Sequence, residues 1–142
     1  MTNLLDAQRA LRGRFDEFLL TLQRENATAA EIALADFEKH FRRWTEAEEQ
    51  ALIPALERAR IPGRDVRREL RLEYVQVREL TRFLLQQIRE GIRLGDLAGY
   101  VENLQRRLRA HESEMEQVYY PAAEPMLTPE EWVVLEKAKA DP

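Results

Sequence analysis

Apolar residues recur along most of the chain at alternating spacings of three and four, the period of one face of an α-helix. Leu4, Gln8, Leu11, Phe15, Phe18 and Leu22 trace the first stripe, and Leu34, Phe37, Phe41, Trp44, Glu48, Ala51 and Ala55 the second. Val66, Leu70, Tyr74, Val77, Thr81, Leu84 and Ile88 trace the third, and Leu97, Val101, Leu104, Leu108, His111, Met115 and Val118 the fourth. No stretch alternates with the period of two that marks a strand. Turn formers separate the stripes: Pro62-Gly63, Gly91, Gly95 and the run from Pro121 to Pro129.

This pattern predicts helices over residues 3–24, 28–59, 64–90 and 96–120, and a short one over 129–139. Local signals set the ends. Asn3 suits the first N-cap, Thr28-Ala29-Ala30-Glu31 reads as a capping box, Asp96 suits the fourth cap, and Gly91 a stop for the third helix. Thr128-Pro129-Glu130-Glu131 opens the fifth helix, which Trp132, Val133 and Leu135 are expected to dock. Pro54 should loosen the last turns of the second helix, and Pro121 should end or bend the fourth, because proline lacks the backbone donor. Four long amphipathic helices with short connections predict an all-α, up-down-up-down four-helix bundle with a short C-terminal fifth helix, one domain over residues 1–142.

The chain also repeats itself. Residues 49–57, EQALIPALE, resemble residues 116–124, EQVYYPAAE, a register that sets Trp44 on His111. A similar offset sets Gln8, Leu11 and Arg12 on Tyr74, Val77 and Arg78. The first two helices therefore read as a weak copy of the next two.

Four stripe positions carry polar side chains: Gln8, Glu48, Tyr74 and His111. At ~1.5 Å per residue each falls roughly 10–15 Å from the same end of an antiparallel bundle, so they should share one layer. Trp44 and Glu116 lie a turn away, and Glu73 sits beside Tyr74. Bundles build metal and ligand sites from such a layer. The plainer readings are that His111 is a hydrogen-bonded core histidine, that Glu48 pairs with Arg12 or Arg78, and that Phe15, Trp44 and Tyr74 are core aromatics. His40, one position off its stripe, reads as a boundary histidine, and the many arginines as solvated faces and interhelical pairs.

Composition narrows the chemistry. The 142 residues are 44% apolar and 34% charged, with net charge −4, two histidines and no cysteine. No disulfide, thiolate nucleophile or sulfur-ligated zinc can form. The acidic balance argues against nucleic acid as partner. No apolar run approaches a membrane span, and the first residues lack the blocks of a secretory signal, so a cytoplasmic location is expected.

The segments Glu48-Glu49-x-x-Leu52-Ile53-Pro54 and His111-x-x-x-x-Glu116-x-x-x-Tyr120-Pro121 resemble the second and fourth helices of the hemerythrin-like family, the HHE cation-binding domain, over about residues 4–127. The resemblance implies a bundle with an internal repeat and a carboxylate-bridged di-iron centre, held by several histidines and a pair of acidic residues, that binds oxygen or related small molecules. Glu48 and Glu116 match its bridging carboxylates and His111 its fourth-helix histidine. Gln8, Trp44, Tyr74 and Arg78 stand where the family places other ligands. Iron of this kind wants imidazole nitrogen and carboxylate oxygen, and three such ligands cannot satisfy two metals. Trp44 would also fill the metal's volume, and Arg78 would bring positive charge toward a cation.

The expectation is a fold kept and a di-iron centre lost, with Glu48, His111 and Glu116 forming a bonded core network with Arg78, Arg12 or Tyr74. Such a protein would be a non-enzymatic module without cofactor, holding a small ligand or a protein partner, and open to homodimer formation. The alternative is one iron, manganese or zinc on His111, Glu48 and Glu116, helped by Glu73, Tyr74 or His40. Phosphotransfer fits poorly, because His111 faces inward and precedes Glu112-Ser113-Glu114 rather than a lysine-glycine pair. Neither histidine follows a glutamate by three residues, as a ferritin-like oxidase requires, and no Ser-His-Asp or P-loop spacing appears.

Overall fold

The computed structural model describes residues 3–140, all of whose regular structure is helical. In chain order the helices are α1 (Leu4–Gln23), α2 (Ala27–Ala47), α3 (Ile53–Ala59), α4 (Val66–Arg89), α5 (Ala98–Glu114), α6 (Tyr120–Ala123) and α7 (Pro129–Ala140). Packing between the long helices is most extensive for α1 on α2, less so for α2 on α4, and less again for α4 on α5. The three ion pairs Glu31–Arg89 (3.8 Å), Glu38–Arg82 (3.9 Å) and Glu49–Arg71 (3.8 Å) show that α2 and α4 run antiparallel. Inside, Phe15 meets Phe37 with ring centroids 5.3 Å apart, and Phe37 stacks on Phe41 at 5.7 Å. No described helix is long and apolar enough to cross a membrane.

Side-chain caps set most helix starts. Asn3 accepts from the Leu5 amide and Asp65 from the Arg68 amide. Two predicted starts need correction. Asn26, not Thr28, caps α2 by accepting from the Ala29 amide at 3.0 Å, so the helix opens at Ala27. Asp96 caps nothing; it lies in a 3₁₀ turn, Leu94–Leu97, that leads into α5. α4 ends as expected before Gly91, whose φ of +82° costs an L-residue more than glycine. Gly91→Ala has room for its methyl group, so the backbone alone should destabilise the fold by about 1 kcal/mol, measurable by urea denaturation.

The second and fourth predicted helices, which hold Pro54 and meet Pro121, are not regular α-helix throughout. Each passes through one π-helical turn, Glu48–Leu52 and Met115–Tyr119, that ends two residues before its proline. The Ile53 amide donates to the Glu48 carbonyl and the Tyr120 amide to the Met115 carbonyl, five residues back. The wider turn makes room for a residue that has no N–H and whose ring would crowd the carbonyl four back. Pro54 and Pro121 are thus absorbed rather than terminating, and the chain stays helical to Ala59 and Ala123. The two π-turns are 67 positions apart, as are the two prolines, which gives the sequence repeat a structural counterpart.

The last helix docks as expected in part. Leu135 is fully buried, but Val133 is 58% exposed. Thr128 and Glu131 form a reciprocal capping box. Arg58 clamps it from α3, donating to Glu131 and to the Met126 carbonyl, and Lys139 reaches Asp6 of α1 at 3.2 Å.

Candidate functional site

The polar stripe residues do meet in one layer. Gln8, Trp44, Glu48, Tyr74 and His111 are all buried, and Glu48 is wholly so. The carboxylate of Glu48 accepts from two phenols, Tyr74 at 3.1 Å on one oxygen and Tyr120 at 2.9 Å on the other. The Tyr120 oxygen in turn accepts from the Gln8 amide (2.8 Å) and the Trp44 indole (3.3 Å). One donated and two accepted bonds exhaust a phenol's capacity, so Tyr120 is the hub of a closed network. Burial pushes the Glu48 carboxyl up from 4.5 to about 7, against the opposing pull of His111 and of hydrogen bonding by Tyr120, Tyr74 and Trp44. Burial also pushes both phenols well above 10, so they remain donors.

His111 sits beside this network with its ring edge-on to Tyr74, centroids 5.9 Å apart. Its Nδ1 lies 3.0 Å from the Glu73 carboxylate, to which it donates, and its Nε2 is buried without a partner. The remaining candidates fall elsewhere. Glu116 is exposed and joins neither Glu48 nor His111, which corrects the expected three-residue cluster. It follows the first residue of a π-turn on the outer side of the helix. Arg12 pairs with Glu112 at 2.8 Å instead of with Glu48. Arg78, on α4, is half-buried with its Nε unpartnered, and makes no bond to Glu48. His40 is a boundary residue, as read, with Nδ1 donating to the Asp36 carbonyl at 2.8 Å.

Two participants escape the periodicity argument. Tyr120 is one: the fourth stripe predicts Val118 inward, yet Val118 is only half-buried while Tyr119 and Tyr120 are buried. The extra residue of the π-turn rotates everything beyond it, so a 3.6-residue ruler fails from Met115 onward. The Tyr120-Pro121 step of the repeat was the available signal. Glu73 is the other: the sequence places it beside Tyr74 and offers it as a helper ligand, but it lies off the stripes, which leave out its bond to His111.

A groove of about 510 Å³ opens beside the polar layer, between α1 and α5, which meet sparsely. Phe15, Phe37, Phe41 and Leu11 line it, together with Gln8 from the network, and Arg12, Glu112 and Glu116 belong to its wall.

The family model of the hemerythrin HHE cation binding domain matches residues 2–123, and the chain belongs to that family. No curated protein and no solved structure matches it. The residues of the polar layer do not fit the dinuclear metal centre that the family name implies. Among the described residues, no group of three or more histidine, aspartate or glutamate side chains is placed to hold a metal ion. The one central carboxylate accepts a phenol hydrogen bond on each oxygen.

Proposed function

We propose that this chain is a hemerythrin-family bundle, up-down-up-down in helix order, whose metal centre has given way to a hydrogen-bonded core, and that it serves as a non-enzymatic binding module without a cofactor. One observation carries this reading: both oxygens of Glu48 accept from phenols, and the phenol hub is itself fully bonded. A bridging carboxylate must offer an oxygen to each metal, and here metal entry would strand Tyr74 and Tyr120 donors in a dry interior. Protein expressed with added iron and examined by elemental analysis is expected to carry well under one iron per chain. Near two iron per chain would overturn the reading.

The groove between α1 and α5 supports a small ligand as the occupant. Its 510 Å³ lies within the range of small-molecule sites, and it combines an aromatic floor with a polar rim. A compact ligand with an apolar body fits that lining, and Gln8 would connect its arrival to the Tyr120–Glu48 network.

A second reading, one iron, manganese or zinc held by His111, Glu48 and Glu116, has one observation in its favour: the buried His111 Nε2 has no partner. The exposed Glu116 stands against it. Metal content that is unchanged in His111→Ala excludes this site.

A further inference from the structure

The seam between α2 and α4 is laced by charge pairs, and one rung breaks the pattern. Glu38 faces Arg82 and Glu49 faces Arg71. Arg42 lies four residues after Glu38 and seven before Glu49, and Arg78 lies four before Arg82 and seven after Arg71. Spacings of four and seven keep residues on one helix face. The antiparallel register therefore sets Arg42 opposite Arg78: two cations on a rung where its neighbours each set a cation against a carboxylate. Both arginines are half-buried, neither has an ion pair among the described residues, and the Nε–H of Arg78 is buried with no acceptor. Of the carboxylates on the neighbouring turns, Glu38 and Glu49 are engaged by Arg82 and Arg71, and the exposed Glu46 forms no ion pair with Arg42 among the described residues.

We propose that Arg42 and Arg78 form an oxyanion site that takes a phosphate group. A doubly charged oxyanion would relieve the like-charge rung and supply the acceptor that the Arg78 Nε–H lacks. Paired guanidinium forks match phosphate oxygens in geometry as well as in charge. The site lies on the α2/α4 seam and does not involve the α1/α5 groove, so it stands or falls apart from the ligand reading above.

Thermal unfolding of the full chain tests it, with inorganic phosphate titrated against chloride at matched ionic strength. Phosphate is expected to raise Tm saturably beyond chloride, as a ligand of the native state does. The Arg78 Nε–H resonance should move with the same half-saturation. Arg42→Gln and Arg78→Gln should each weaken phosphate binding by about tenfold or more, and Arg82→Gln by no more than about threefold. Phenyl phosphate serves as a second probe: binding as tight as that of inorganic phosphate assigns the site to phosphorylated small molecules, and binding of inorganic phosphate alone to the free ion. Stabilisation equal to that by chloride, or phosphate binding that survives both arginine substitutions, would overturn the proposal.

Discussion

Tyr120→Phe is expected to destabilise the protein by about 3 kcal/mol, roughly a 10 °C fall in Tm for a chain of this size. The substitution removes one oxygen and leaves three buried groups without their partner: the Gln8 amide, the Trp44 indole and one oxygen of Glu48. Stranding a buried donor or acceptor costs about 1–3 kcal/mol each, and partial relaxation brings the sum toward the lower end. Tyr74→Phe makes the same chemical change but strands only the other oxygen of Glu48, so it should cost about 1 kcal/mol. Urea denaturation of the two variants decides whether Tyr120 is the hub. Equal losses would show that the bonds are independent and that the network does not converge on one phenol.

The Glu48 carboxyl makes stability fall as pH rises through the mildly acidic range. Its pKa stands at about 7 in the fold against 4.5 in the unfolded chain. Between those values the native state keeps a proton that the unfolded state has released, so raising the pH favours unfolding. Below 4.5 both states are protonated and Glu48 imposes no penalty; above about 7 the penalty is complete and flat. The shift corresponds to about 3 kcal/mol. Glu48→Gln is neutral at every pH and similar in shape, so the difference in unfolding free energy between wild type and variant isolates this group. That difference should move against the wild type by about 3 kcal/mol from pH 4.5 to pH 7 and then level off. A difference that stays constant with pH would mean that Glu48 is ionised throughout and that its phenol partners compensate its burial in full.

The helices and their inward faces are largely legible in the sequence, because burying one stripe per helix leaves a period of apolar positions. Gln8, Glu48, Tyr74 and His111 are buried where the stripes put them, and the rough rise per residue was enough to bring them level. What periodicity could not supply was phase beyond a disturbance. After Met115 the wide turn advances the face by a residue, which turns Val118 partly out of the core and brings in Tyr120. Glu116 resembles a family ligand in sequence, but it is the residue directly after the buried Met115 and lies on the exposed side. Partner choice is only partly within the pattern. Arg12, Arg78 and Tyr74 all stand as candidate partners of the core network, and the fold gives Glu48 Tyr74 and the unforeseen Tyr120 rather than either arginine, because a carboxylate this deep is served better by short neutral donors on adjacent helices than by long cations that must also be desolvated.

The hub has a further consequence, for the time course of folding. Tyr120 is separated by 112 residues from Gln8, by 76 from Trp44 and by 72 from Glu48. Contacts of such span close only after the loops between them have been drawn in, whereas α1 and α2 can pair locally at once. The network is therefore a late arrival, scarcely formed at the folding barrier. Weakening it should leave the refolding rate nearly unchanged and appear almost wholly as faster unfolding. In that sense the phenol cluster does little to help the chain find its shape and much to determine how long it keeps it.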